Sequence, residues 1–191
     1  MNRYSNFRFI LGILIHPSQV WLRIREFRRI AFQPPRAKRV PTDKLPDVEL
    51  IPVLSDKSHQ DSVVALYRRN PSPYLHGPKS IEQLQEALDR GIRYFLVRNN
   101  DGEYVGARAF DPTKNMMLSA VSDYRHRGRG YNLASGLEIR RLLASEGCTE
   151  LRSNVMRSNI RVQRALRAAG WTLKPHPENP DLVRATIRLD S

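Results

Sequence analysis

Apolar positions along the chain fall into short periodic runs, and the period changes from one run to the next. Near the amino terminus Val20, Ile24, Phe27 and Ala31 recur at helical spacing and form one narrow stripe, with Arg23, Arg25, Glu26 and Arg29 on the other side. The apolar run Phe9–Ile15 precedes it; a bilayer-spanning helix needs about 20 residues, so this run is too short. Gln33 to Pro46 contains Pro34, Pro35, Pro41 and Pro46 without apolar periodicity, the composition of a semi-stiff linker. From Asp47 onward the pattern alternates. Strands are expected over 48–54, 94–98, 104–110, 116–121, 151–155 and 182–189, and helices over 58–69, 80–89, 131–145 and 159–169. Asn99-Asn100-Asp101-Gly102 is a hairpin signal between two of the strands. The order β-α-α-β-β-β-α-β-α-β predicts an α/β chain (α+β in the sense of a mixed sheet), with a central mixed β-sheet flanked by helices and an N-terminal amphipathic helical arm. The expected division is an arm with its linker over 1–46 and one globular domain over 47–191.

Charge changes how the arm is read. The 191 residues carry 32 Lys/Arg against 19 Asp/Glu, a net charge of +13. Residues 1–46 hold ten of those basic residues and two acids, Glu26 and Asp43. A basic amphipathic segment suits an anionic membrane surface, here through residues 1–32. The same stripe equally suits docking on the body or on a second copy of the chain, as a homodimer. Nucleic acid is disfavoured, because the arm has few polar side chains to read bases. Arg3 and Arg8 ahead of the apolar run give it a likeness to a signal peptide. However, His16-Pro17-Ser18-Gln19 offers no small-x-small cleavage site, so the segment is read as retained. Cys148 is the single cysteine, which excludes a disulfide scaffold and leaves no metal-ligand spacing; no metal site is expected. The expected location is cytoplasmic, with the arm as the means of holding the chain at the inner face of a membrane.

The stretch richest in chemistry runs from Val121 to Leu133. A strand ends, the turn Arg125-His126-Arg127-Gly128-Arg129-Gly130 follows, and a helix begins. Glycines allow close backbone approach, and the helix start adds unsatisfied N–H groups and a positive dipole end. This pattern fits a phosphate cradle; it equally fits a basic, solvated turn whose glycines serve geometry. It is neither a Walker P-loop nor a Rossmann G-x-G-x-x-G.

The same six residues match the Arg/Gln-x-x-Gly-x-Gly/Ala signature of the GNAT (Gcn5-related) N-acetyltransferase superfamily. Asn154-Val155-Met156-Arg157-Ser158-Asn159 and then Ala168-Ala169-Gly170-Trp171 follow in matching order. The chain resembles that superfamily over roughly 48–190, most specifically over 118–171. The resemblance implies a site between two splayed strands with acetyl-CoA in the wedge. Main-chain groups around Val121 would hold the pantetheine arm. The amides of His126 to Gly130, with the charges of Arg125, Arg127 and Arg129, would hold the pyrophosphate through the Gly128–Gly130 turn. Asn159 would hydrogen-bond the pantetheine, cap its helix, or both.

The implied activity is acetyl-CoA-dependent transfer of an acetyl group to a primary amine of a small molecule, amino sugar or peptide. One departure stands out: many members carry a Tyr four residues before the closing Gly as acid to the leaving thiolate, and here that position is Leu166. Leu166 also completes an apolar stripe with Val162, Ala165 and Ala169. The alternative is therefore a non-catalytic GNAT-fold protein that binds acyl-CoA or regulates at a membrane. Asp123, beside the turn, and His76, in the proline-rich loop between the first two body helices, are the candidate catalytic residues.

Overall fold

The structure, a computed structural model, describes residues 44–72 and 74–189. The expected amphipathic helix and nearly all of the linker lie outside the described residues. The body runs β1 (Glu49–Val53), α1 (Lys57–Arg69), α2 (Ile81–Asp89), β2 (Arg93–Arg98), β3 (Tyr104–Asp111), β4 (Met116–Ser122), α3 (Tyr131–Ser145), β5 (Glu150–Met156), α4 (Ile160–Ala168), β6 (Thr172–Pro175) and β7 (Leu182–Arg188). Local chemistry sets several of these limits. Asp56 accepts hydrogen bonds from the amides of Ser58 and His59 at the start of α1, and Ser80 accepts from the Gln83 amide at the start of α2. Pro71 follows the Asn70 cap of α1, where a helix cannot easily continue.

All seven strands join one sheet in the order β1-β2-β3-β4-β5-β7-β6. Every adjacent pair is antiparallel except β4 and β5, which run parallel. Helices cover both faces. On one side Val63, Leu66, Tyr67 and Leu84 of α1 and α2 pack with Tyr94, Leu96, Ala107 and Val121. On the other, Ile139 and Leu143 of α3 pack with Phe95, Phe110 and Leu151. β2 serves both layers, since successive strand side chains point to opposite faces.

Two elements were not expected from the pattern: the short β6, and a 3₁₀ turn over Tyr124–His126. Helix α4 departs from expectation more interestingly. Its apolar stripe is only half covered: Leu166 and Ala169 are half-buried while Val162 and Ala165 stay exposed. The buried residue of α4 is Gln163, whose side-chain amide donates to the carbonyls of Met156 and Arg157 at 3.3 and 2.7 Å. A polar anchor thus ties the helix to the end of β5 and the residue after it.

Candidate active site

Strand β4 has two unlike edges. Toward β3 it keeps register from Asp111↔Met116 to Gly106↔Ser122, with Leu118 as the extra residue of a bulge between Met117 and Ser119. Toward β5 it pairs only at Met116↔Arg152 and Met117↔Ser153. The Ser153 hydroxyl closes that apex by donating to the Met117 carbonyl at 3.2 Å. Beyond it the two strands run on without pairing, to Ser122 and Met156. A bulge raises local twist and bends its strand, and here it falls where the strands part. The result is a wedge in the sheet.

Which groups line the wedge follows from the ladder. The Asp123 amide donates to the Val105 carbonyl at 2.9 Å, so alternation turns the main chain of Val121 toward β3 and that of Ala120 and Ser122 toward the wedge. A Cβ on Gly106 would lie 2.6 Å from the Val121 carbonyl oxygen, which confirms that direction. The Val121 side chain is buried in the core. Of the main-chain groups around Val121, those that face the wedge are therefore the ones of Ala120 and Ser122.

At the end of β4 the chain enters the glycine turn. The amides of His126 and Arg127 donate to the carbonyls of Asp123 and Tyr124, at 3.0 and 3.4 Å. Those two amides are used inside the turn, contrary to the expectation for His126. Gly128 and Gly130 then adopt left-handed φ of 81° and 88°, a region open to glycine at little cost. Gly130 caps α3 without any side-chain hydrogen bond, whereas Asp56, Ser80 and Asn159 cap the other helices. Among the described residues, the amides of Gly128 to Asn132 donate to no main-chain carbonyl. The open row of N–H groups lies two residues later than the motif alone implied. Such a row at a helix start can receive an anion, through its dipole and its unsatisfied donors.

The arginines divide. Arg125 is committed to Asp123, with its Nη2 2.9 Å from the carboxylate. Arg129 is exposed and pairs with no carboxylate among the described residues; Arg127 is exposed as well. Asp123 itself is fully buried. It accepts from the Arg125 amide at 3.0 Å and from Arg69 at 3.1 Å. Burial pushes its carboxyl up, but the Arg125 hydrogen bonds and the charges of Arg125 and Arg69 hold it below the usual carboxylate range. A carboxylate so held is a poor proton acceptor, so Asp123 is a brace of the turn.

Behind the open amides lies Arg108, on the α3 face of β3. It is buried and donates to Ser135 Oγ at 3.0 and 2.8 Å, to the Asn132 side chain at 3.0 Å and to the Asn132 carbonyl at 2.5 Å. No carboxylate pairs with it among the described residues. Burial pushes its guanidinium down to about 10, which leaves it cationic at neutral pH. It braces the first turn of α3 and adds positive charge there. Only an arginine inside the otherwise apolar run Val105–Phe110 signals this in the sequence.

The remaining expected residues are spread around the wedge. Asn159 caps α4, accepting from the Val162 amide at 3.3 Å. His126 is buried, with Nε2 3.7 Å from Glu103 and Nδ1 without a hydrogen-bond partner among the described residues. His76 is exposed in the loop after α1. The next residue, Gly77, lies flat on the ring of Tyr67, where a Cβ would collide with Cε1. Tyr67 in turn reaches β4, its hydroxyl 2.5 Å from Ser119 Oγ. Neither Tyr67 nor Ser119 was singled out by sequence, since 52 positions separate them.

Solved structures share this architecture. An acetyltransferase from Thermus thermophilus superposes with a TM-score of 0.59 at 19% identity, covering 76% of this chain and 99% of that one. The GNAT domain of PAT from S. lividans gives 0.59 at 15% identity, covering 74% and 90%. The fold is the GNAT fold. A mutant form of the spermidine/spermine N-acetyltransferase SpeG from Vibrio cholerae gives 0.55 at 18% identity, covering 74% and 94%. No family model matches the sequence, and no curated relative does. None of the described helices is long and apolar enough to cross a membrane.

Proposed function

We propose that this GNAT-fold chain is an acetyl-CoA-dependent N-acetyltransferase that acetylates a primary amine. The observation that carries the reading is the wedge beside β4 together with the open amides of Gly128 to Asn132 at its end. In this reading the main chain of Ala120 and Ser122 hydrogen-bonds the pantetheine arm. The amides from Gly128 onward receive the pyrophosphate, with Arg127 and Arg129 adding charge. The donor set suits this ligand: a row of neutral N–H groups with arginine beside it and no carboxylate left unpaired at the turn. Asn159 caps α4 and presents the rest of its carboxamide to the pantetheine.

The amine attacks as the free base, on the α1–α2 face of the sheet. His76, in the loop pinned over Tyr67, takes the amine proton. The thiolate departs without help from Leu166, which is tolerable because a thiol has a pKa of about 8.5. Polyamines, the acceptors named for one fold neighbour, fit poorly with a chain of net charge +13. Neutral or anionic amines, amino sugars among them, fit better. The basic arm supports a place at an anionic membrane face, or a homodimer contact.

The test is calorimetric titration with acetyl-CoA, followed by release of CoA against a panel of amines. Binding with turnover supports the enzyme. Binding without turnover for any amine, unaltered in Leu166→Tyr, supports the second reading, an acyl-CoA-binding protein without catalysis, which the Leu166 departure favours. Absence of binding overturns both. For the arm, co-sedimentation with anionic vesicles is expected of the full chain and not of one beginning at Asp47.

A further inference from the structure

The hydroxyl pair of Tyr67 and Ser119 carries a consequence that the fold and its motifs do not. Tyr67 is 3% exposed on α1 and its hydroxyl has one partner among the described residues, Ser119 Oγ at 2.5 Å. Ser119 likewise has no other hydrogen-bond partner there. By geometry either hydroxyl could donate; hydrogen-bond accounting favours one direction. If Ser119 donated, the Tyr67 proton would be buried without an acceptor, at a cost comparable to a lost hydrogen bond. Tyr67 therefore donates, and the Ser119 proton is left over. Ser119 is half-exposed, so that proton can reach a ligand.

Its place matters. Ser119 is the first residue of β4 after the bulge, two positions beyond Met117, where β4 last pairs with β5. Through its contact with Tyr67 it stands on the α1 face of the sheet, the side on which the loop bearing His76 lies. We propose that Ser119 is a catalytic residue whose hydroxyl donates a hydrogen bond to the carbonyl oxygen of the bound thioester, with Tyr67 as the residue that positions it. The inference rests on the acetyl-transfer reading. Attack of the amine forms the N–C bond and moves the carbonyl π electrons onto oxygen, where the Ser119 O–H meets them. Collapse reforms the carbonyl, breaks the C–S bond and sends its electron pair to sulfur. The amine proton leaves to His76 or water, and Ser119 keeps its proton throughout.

Burial pushes the Tyr67 hydroxyl well above its ordinary value, so the pair holds its protons across the working range. A donor of that kind suits a transient oxyanion, which needs a hydrogen bond, better than a thiolate, which needs a proton. Preorganised donors at such an oxygen typically contribute 10²–10³ in kcat, here about 10² for one side chain.

The test uses the full chain and three variants: Ser119→Ala, Ser119→Thr and Tyr67→Phe. Ser119→Ala is expected to lower kcat about 10²-fold with KM for acetyl-CoA changed by less than about twofold, and Ser119→Thr to restore most of the rate. Tyr67→Phe should lower kcat by a smaller factor, since the serine proton then loses its orientation but not its existence. A second readout needs no turnover: the infrared carbonyl stretch of bound ¹³C-labelled acetyl-CoA, red-shifted in the wild type and in Ser119→Thr but not in Ser119→Ala. A stretch identical in wild type and Ser119→Ala, or an unchanged kcat in that variant, overturns the donor while leaving the acetyltransferase reading intact. If the wild-type chain binds no acetyl-CoA, both fall.

Discussion

The two edges of β4 are built from the same backbone and do opposite things. Toward β3 the ladder runs almost the length of the strand, and Gly106 allows the chains to approach so closely that no Cβ fits. Toward β5 it stops after two residue pairs. A closed edge fixes the strand, so that the open edge can present main-chain groups without collapsing onto its neighbour. Buried backbone groups are nearly always paired. Ala120 is exposed and Ser122 partly so, so the open edge keeps its main-chain groups accessible to water or to a ligand.

Forcing the closed edge apart should have the largest effect. Gly106→Val puts a side chain where a Cβ would already stand 2.6 Å from the Val121 carbonyl, and is expected to cost about 3 kcal/mol, the upper part of the overpacking range; urea denaturation measures it. Asp123→Asn comes next. It removes the buried charge that Arg69 and Arg125 surround, and is expected to cost about 2–3 kcal/mol at pH 7. Because the folded carboxyl lies below its unfolded value, its contribution is complete above the unfolded pKa of about 3.9 and is lost as pH falls through the folded value. Urea midpoints of wild type and Asp123→Asn should therefore converge as the pH is lowered below about 4. Equal spacing at pH 7 and at pH 3 would show that the charge is not the source.

The open edge is probed by Gly130→Asp. It places a carboxylate on the row of free amides, at a φ of 88° that suits glycine. Acetyl-CoA affinity is expected to fall at least about tenfold, or 1.4 kcal/mol, with the fold retained by circular dichroism. An unchanged dissociation constant would remove the cradle. The smallest effect is expected of Asn159→Ala, a lost cap worth about 1 kcal/mol, read as a shift in thermal midpoint. A loss of acetyl-CoA affinity beyond tenfold in that variant would show that the carboxamide also reaches the ligand.

Much of the fold was legible because its elements are periodic. The expected helix over 131–145 coincides with α3, and the expected strand over 104–110 falls one residue short of β3. Strand β6 was not, because Thr172–Pro175 is four residues long, mostly exposed, and has no apolar alternation. The α4 stripe misled for a different reason: the carbonyls of Met156 and Arg157 need donors, and Gln163 turns inward to supply them. At the site, the glycines at 128 and 130 announced the turn. Which amides it leaves open depends on the 3₁₀ turn capped by Asp123, whose arginine partner Arg69 is 54 residues away. The wedge depends on where two distant strands stop pairing, a property of neither strand alone.

One buried carboxamide links the two sides of the sheet's working end. Asn70 accepts from the Tyr124 amide at 2.8 Å and donates to the Leu66 carbonyl at 2.8 Å, tying the last turn of α1 to the first residue of the 3₁₀ turn that leads into the glycines. The loop bearing His76 leaves α1 immediately afterward. Under the proposed reading, a ligand that stiffened the turn would also stiffen the root of that loop, coupling amine and acetyl-CoA through this joint. Reciprocity would then require the factor by which acetyl-CoA tightened amine binding to equal the factor by which the amine tightened acetyl-CoA.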